Sequence, residues 1–212
     1  MHSAGELQER LIDAAILHVP FDGWGEAALR AAARDLHIDP GLALNAFPRG
    51  GIEMIEFHSR LADRRMIAAY ESAETSGLKI RQKVALAVRL RLAANTAHRE
   101  AVRRALSLLG LPIHAALATR LLYRTVDAVW MVVGDRSTDF NFYTKRGLLA
   151  GVYSATLLYW LNDRSADTAD TWSFLDRRIA DVMKIPRALA RLDELKRKLP
   201  DPFRLFRRLA TR

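Results

Sequence analysis

The sequence predicts an all-α protein, and three observations support that prediction. Apolar residues recur at spacings of three and four along almost the whole chain, whereas no strand-like alternation lasts for long. The chain is rich in alanine, leucine and arginine, which are strong helix formers. Half of its 212 residues are apolar, and only 11 are glycine and 7 proline, so long helices can bury a core.

Three short helices are expected at the start of the chain. The first spans residues 7–17 and ends near Pro20, because proline disfavours a helix interior. The second spans residues 27–36 and ends before Pro40, and the third spans residues 41–47. Together, residues 1–50 are predicted to form a small helical head.

Longer helices then form a body, predicted at residues 51–183 and belonging to one domain with the head. Gly77 closes the first of these helices, and Asp139 caps a later one that runs to Leu161. A C-terminal segment, residues 184–212, holds two further short helices separated by prolines. The predicted body helices span residues 52–76, 79–94, 98–109, 113–133, 139–161 and 168–183.

Three short helices before a long fourth follow the order of a helix-turn-helix head on a helical body. Such a head reads DNA when its third helix offers Lys or Arg to phosphates and base edges. The third helix here has neither, and its one useful amide is that of Asn45. We therefore expect a degenerate helix-turn-helix and no nucleic-acid partner. A ligand-responsive transcriptional regulator is the alternative.

The chain lacks the residue patterns of the common catalytic sites. It has no cysteine, which excludes thiolate nucleophiles and Cys-ligated metals. Its six histidines show no metal-ligand spacing, and Glu53, Glu56 and His58 are better explained as helix surface residues than as a di-iron motif. No Gly-rich phosphate loop or Gly-x-Ser-x-Gly elbow occurs. The sequence predicts a non-enzymatic protein without metal or cofactor.

Most of the positive charge lies in the C-terminal segment. The chain carries a net charge of +9, and residues 184–212 hold ten basic and three acidic residues, a net +7. An apolar stripe flanked by Lys and Arg is typical of a helix in a membrane interface. Alternatively, the stripe docks on the body or on a partner chain. The residues expected to bind an anionic membrane are Leu189, Leu192, Lys196, Leu199, Phe203, Phe206 and Arg207.

The start of the chain predicts its location. Residues 1–5 lead directly into a helical pattern, without the features of a signal or transit peptide. The longest apolar stretches, residues 126–133 and 148–161, are short or interrupted compared with the roughly 18–20 residues that a membrane span needs. The expected location is the bacterial cytoplasm, peripheral on the inner membrane.

Two strongly apolar helices, at residues 113–133 and 140–161, are candidates for a lipid site. Small residues on the second helix, among them Gly147 and Gly151, could leave room for a long apolar ligand. Close packing of the two helices is the alternative reading. The residues expected to contact lipid are Leu121, Leu122, Val126, Trp130, Leu149, Val152, Tyr153, Thr156, Leu157 and Trp160.

Several blocks of this sequence, taken in order, are similar to those of one family. Over about residues 6–183 the chain resembles the ninth coenzyme-Q protein family, the lipid-binding accessory proteins of ubiquinone biosynthesis. The most specific block is the Ser-Thr-Asp-Phe-Asn run. The blocks are FDGW at 21–24, DP at 39–40, FPRG at 47–50, GDRSTDFNFYTKR at 134–146 and DTWSFLDRRI at 170–179.

This resemblance implies a fold like that of TetR regulators without DNA binding, a lipid pocket, a C-terminal amphipathic membrane helix and a homodimer. It also implies a partner, the di-iron hydroxylase that acts on demethoxyubiquinone. The family's partner-facing patch centres on a Trp-Tyr pair, here Phe142 and Tyr143, with Arg146 one turn on. Phe142 lacks the indole N–H of that tryptophan. Asp139 belongs to the same patch, although it and Asn141 can equally serve only to cap and brace the helix start.

The hypothesis that follows is a carrier. It would bind isoprenoid quinone precursors and phospholipid at an anionic membrane, hold them between the helices of Trp130 and Trp160, and present them to a modifying enzyme such as the hydroxylase. A structural assembly factor with a filled core is a further alternative.

Overall fold

The computed structural model describes residues 4–134 and 140–182, and their regular structure is entirely helical, which confirms the predicted all-α class. The helices are α1 (Ala4–Asp22), α2 (Glu26–Asp35), α3 (Pro40–Ala46), α4 (Gly51–Glu71), α5 (Ile80–Ala93), α6 (Arg99–Leu109), α7 (Ala115–Val132), α8 (Phe140–Asn162) and α9 (Ala169–Val182). Short 3-10 turns, Thr96–His98, Pro112–His114 and Ala166–Thr168, precede α6, α7 and α9. The predicted helices of residues 184–212 and the capping role of Asp139 lie outside the described residues.

Two helix ends differ from the sequence-based expectation. Helix α1 continues past Pro20 to Asp22, because a proline in the last turn removes only one backbone hydrogen bond of the helix. Helix α4 ends at Glu71, before the predicted stop at Gly77. The start of α3 is capped, since the backbone N–H of Leu42 donates to Oδ1 of Asp39 at 2.9 Å.

The first of two hydrophobic clusters is called the head cluster here. It packs the four helices α1, α2, α3 and α4 against α6 and the first half of α7. Its fully buried members include Leu11, Ile12 and Leu29. The indole Nε1 of Trp24 donates to the backbone oxygen of Ala101 at 2.9 Å, which fastens the head to α6. The head is therefore packed directly against the body.

The second cluster, called the body cluster, lies between the second half of α4 and helices α5, α7, α8 and α9. Helix α4 is common to both clusters, because Ile55 and Leu61 belong to the head cluster and Met66 to the body cluster. One long helix thus carries the packing from one end of the molecule to the other. Trp160 and Leu175 are fully buried at the centre of the body cluster.

Within the described residues, no single helix is long and apolar enough to cross a membrane. The bent pair Thr96–Leu109 and Pro112–Val132, which meet at 95°, passes that test together by length and composition.

Candidate functional site

A cavity of about 440 Å³ lies where α4, α5, α6, α7 and α8 meet, between the head cluster and the body cluster. This volume falls within the range of about 300–1,000 Å³ that is typical of small-molecule sites. Most of its wall is apolar, and the apolar lining residues include Ile55, Leu92, Val102, Ala105, Leu106, Leu109, Leu121, Leu122, Leu157, Leu158 and Trp160. The cavity is the candidate site.

The structure brings half of the predicted lipid-contacting residues to this wall, namely Leu121, Leu122, Tyr153, Leu157 and Trp160. The other half pack into or against the body cluster, away from the lining. Thr156, for example, is fully buried and donates from its hydroxyl to the backbone oxygen of Val152 at 2.7 Å, within its own helix. The residues outside the lining are Val126, Trp130, Leu149, Val152 and Thr156.

The room in the cavity does not come from the glycines of α8. Gly147 and Gly151 are exposed, and a Cβ added at either position would meet open space. Of the small residues on α8, Ser154 is the one that lines the cavity. The two glycines therefore lie on an outward face of α8, whereas Ala150 is buried in the body cluster.

Helix α6 supplies a wall that the sequence analysis did not identify. Val102, Ala105, Leu106 and Leu109 line the cavity, and their spacing of three and four residues places them on one helix face. That spacing is visible in the sequence. It could have been used to find this wall, although the same spacing is also expected of a helix that only packs against its neighbours.

One end of the cavity, called the polar end, is lined by His58, Arg91, Asn95, Thr125 and Tyr153. Nε2 of His58 lies 3.1 Å from Oδ1 of Asn95, whose amide nitrogen donates to the backbone oxygen of Arg91 at 3.2 Å. Four of these five residues are at least nine-tenths buried, and His58 is partly open. A wall that is otherwise apolar thus carries a group of hydrogen-bonding side chains at its most buried part.

The charge of Arg91 is balanced inside the protein. Its Nε donates to Oδ1 of Asp63 at 2.7 Å, and its Nη2 donates to the backbone oxygen of Ser59 at 3.3 Å. The hydroxyl of Thr125 donates to the same Asp63 oxygen at 2.8 Å. Because a buried ion pair without such support would be costly, these contacts are what allow Arg91 to face the cavity.

Burial also sets the protonation of the other two ionisable groups at the polar end. Burial, with the positive charge of Arg91 in addition, lowers the pKa of His58 to about 4. Burial raises the pKa of the Tyr153 hydroxyl. At neutral pH His58 is therefore uncharged, and Tyr153 keeps its proton and can donate it in a hydrogen bond.

The opposite end of the cavity, called the open end, is formed by Leu109, Gly110, Thr119 and Leu158. Leu158 is 59% exposed, and Gly110 and Thr119 are also exposed. Along α7, Ala118 and Thr125 both line the cavity and are separated by seven residues, or about 10 Å. The cavity thus runs from a polar, enclosed end to an apolar end near the surface.

The predicted partner-binding residues have different positions. The guanidinium of Arg146 is buried and donates from Nε to Oδ1 of Asp127 on α7 at 2.8 Å, so it braces α8 against α7. The side chains of Phe142 and Tyr143, and all of Asp139, lie outside what is described. The seven predicted membrane-binding residues, Leu189 to Arg207, lie beyond the last described residue.

Comparison with known proteins identifies a family. Residues 115–186 match the COQ9 family model. The human protein named "Ubiquinone biosynthesis protein COQ9, mitochondrial" is 34% identical over 190 residues, which are 86% of this chain and 59% of the human protein. The Drosophila melanogaster protein of the same name is 30% identical over 192 residues, 88% of this chain and 58% of the fly protein. The chain thus spans about three fifths of the length of these relatives.

These relatives correct the expected location. A bacterial cytoplasm was expected, but the curated relatives are named as mitochondrial proteins of eukaryotes, so that expectation is wrong. The absence of a recognisable transit peptide in residues 1–5 was a weak basis for it, because targeting segments can be removed or lie outside a conserved region.

A solved structure supports the fold. The crystal structure of a TetR transcriptional regulator from Nitrosomonas europaea ATCC 19718 superposes with a TM-score of 0.70, covering 84% of this chain and 98% of the regulator, at 23% sequence identity. This similarity shows a TetR-like fold and nothing further about activity. The TetR-like fold and the matches in sequence agree with the family resemblance of residues 6–183 described above. The chain belongs to the COQ9 family.

Proposed function

We propose that this protein is a non-enzymatic lipid-binding accessory protein of ubiquinone biosynthesis, which binds a polyprenylated quinone intermediate at a membrane and presents it to a modifying enzyme such as the demethoxyubiquinone hydroxylase. The curated relatives named for ubiquinone biosynthesis support the pathway. The single observation that carries lipid binding is the cavity, whose walls are mainly leucine, valine and alanine.

The reason for such a carrier is the cost of exposing an isoprenoid to water. Apolar surface transferred from water gains roughly 25 cal/mol per Å², so a prenyl chain leaves a bilayer only for another apolar surface. The cavity supplies that surface. Its volume of about 440 Å³ is at the small end of the usual range, so a long tail would extend out of the open end.

Membrane contact is supported at two places. Leu111 and Ile113, which follow Gly110 of the open end along the chain, are exposed apolar residues, and Ile113 is 82% exposed. The basic C-terminal segment, with its net +7, adds attraction to anionic lipid, at about 1 kcal/mol for each cation near the surface. The exposed pair Leu111 and Ile113 would favour lipid entering at the open end, and the charge of the C-terminal segment would hold the protein at the membrane surface.

A homodimer is part of the proposal. Tyr159 of α8 is partly exposed and stacks on Phe174 of α9 with ring centroids 4.6 Å apart. Aromatic residues are enriched at interfaces between protein chains, so this pair supports contact with a second copy. The expected measurement is a molecular mass near 48 kDa, twice 23.9 kDa, in solution.

The decisive test fills the cavity. Ala118→Trp places a large ring in the wall near the open end, whereas Ala116→Trp adds the same ring at an exposed position of the same helix, outside the lining. Binding of a geranyl-substituted benzoquinone, measured by calorimetry, should weaken at least about tenfold in the first variant, which corresponds to about 1.4 kcal/mol, and stay unchanged in the second.

Equal binding by both variants and the parent chain would refute a lipid site in this cavity. A polyprenyl quinone found by mass spectrometry in the purified chain would support the proposal further. A salt-dependent shift of duplex DNA, with no lipid bound, would instead favour a transcriptional regulator.

A further inference from the structure

The two ends of the cavity differ in chemistry, and this difference specifies the orientation and the head group of the ligand. The open end offers only leucine side chains, a glycine and the hydroxyl of Thr119. The polar end offers hydrogen-bonding groups, all of which except His58 are at least nine-tenths buried. Buried polar groups normally find partners, so those that lack one inside the protein point to a ligand that supplies it.

Two donors at the polar end lack such a partner. The hydroxyl of Tyr153, a residue only 6% exposed, makes no hydrogen bond to any residue that the structure describes. Arg91 uses its Nε and Nη2 within the protein, and the N–H groups of Nη1 have no partner in the same part of the chain. Both side chains line the cavity, and both would donate to an oxygen atom placed there.

The polar end carries little net charge despite these donors. Arg91 is paired with Asp63 at 2.7 Å, and His58 is uncharged at neutral pH. A phosphate or carboxylate would therefore enter a neutral, buried site and would have no unpaired cation to offset its desolvation. An uncharged ligand with carbonyl or hydroxyl oxygens meets no such cost.

Given the proposed function, on which this inference rests, we propose that the polar end binds the ring of a prenylated quinone or phenol, with ring oxygens accepting hydrogen bonds from Tyr153 and Arg91 and the tail directed to the open end. Asp63, Thr125 and Asn95 act as positioning residues, because their contacts fix the Arg91 and His58 side chains.

This orientation determines how the ligand can reach a modifying enzyme. The ring is enclosed while the ligand is bound, so a modifying enzyme cannot reach it inside this cavity. The ligand must leave through the open end, with its tail emerging first. The protein would then protect the ring during transfer and release it at the enzyme, rather than hold it out for reaction.

The test uses the full chain and three ligands with the same tail: a geranyl-substituted dimethoxybenzoquinone, geranylbenzene, which has a ring but no oxygen atom, and geranyl phosphate. Dissociation constants are measured by calorimetry for the parent chain and for Tyr153→Phe, which removes one hydroxyl, and Arg91→Lys, which keeps the charge. We expect the quinone to bind most tightly. Each variant should weaken quinone binding about 2- to 10-fold, the usual range for one hydrogen bond, and leave the binding of geranylbenzene unchanged.

The outcomes distinguish failure of the proposed ligand orientation from failure of the proposed lipid-carrier function. If all three ligands bind equally well, or if the variants weaken geranylbenzene as much as the quinone, the orientation is wrong while the lipid carrier stands. Tightest binding of geranyl phosphate overturns the uncharged head group. If none of the three binds, the proposed function itself fails. Should Arg91→Lys not fold because its ion pair with Asp63 is disturbed, Tyr153→Phe decides alone, and circular dichroism of both variants shows which applies.

Discussion

The head cluster and the body cluster are both made of packed helices, but they use buried space differently. In the head, alanine, leucine and isoleucine fill the interior, and the single buried indole donates to a backbone oxygen. Between the head cluster and the body cluster, helices α4 to α8 enclose a cavity that has a buried ion pair at its polar end. The comparison shows that the interior of the head is filled by side chains, whereas packing is incomplete where the two clusters meet.

Helix α4 connects these two regions. Its residue His58 lies at the polar end of the cavity, and its imidazole packs against the Trp24 ring of the head with centroids 5.5 Å apart. A change in the head can therefore reach the cavity through one contact. The three predictions below test how far the two regions differ, from the largest expected effect to the smallest.

The largest effect is expected from the buried ion pair of the body. Asp63→Asn leaves Arg91 as a buried charge without its counter-ion, and the free energy of unfolding should fall by about 3–5 kcal/mol. The matched control is Asp13→Asn, which removes an exposed partner of Arg65 and should cost less than about 1 kcal/mol. Urea denaturation at pH 7.5 measures both, and similar losses in the two variants would contradict the distinction.

A smaller effect is expected from pH. The pKa of His58 is about 4 in the folded protein, against 6.5 for the free side chain, so the unfolded chain binds a proton that the folded chain does not. Stability should therefore fall as the pH drops below about 6.5, by about 2 kcal/mol at pH 5. His58→Gln keeps a donor for Asn95 and should lose this part of the pH dependence. An unchanged slope in that variant would assign the effect to other groups.

The last prediction pairs two glycines, one at each side of the comparison, and the second of them has the smallest effect of all. Gly51 begins α4, and a Cβ there would overlap the backbone oxygen of Trp24, so Gly51→Ala should lower the free energy of unfolding by about 1–3 kcal/mol. Gly147 lies within α8 with open space around it, so Gly147→Ala should raise that free energy by about 0.5–1 kcal/mol. Thermal melting of both variants measures whether their stabilities change in opposite directions.

Much of the fold was predictable because it depends on local pattern. The helical periodicity and the prolines gave the correct order of the helices in the described residues. The misplaced end of α1 has a local cause as well, since one proline in a final turn costs little. The membrane role of residues 184–212 and the division at residues 50 and 183 stay predictions.

The site was predictable only in part. Leu121 and Trp160 line the cavity as expected, whereas Trp130, on the same helix as Leu121, does not. All three occupy apolar helix faces in the sequence, and periodicity cannot distinguish an atom that borders a void from one that fills a core. Arg146 shows the same limit, because a charged residue expected to face a partner is buried against Asp127.

The sequence by itself determined that this chain forms packed helices, that its third helix carries no cations and that its positive charge gathers at the C-terminal end. Each of these properties is set by residues close together in the chain. Only the tertiary structure decided that His58, Arg91, Thr125 and Tyr153 meet in one cavity, with α6 as its wall. The physical reason is that a void and its polar lining depend on how helices far apart in sequence pack together, and no local pattern encodes that arrangement.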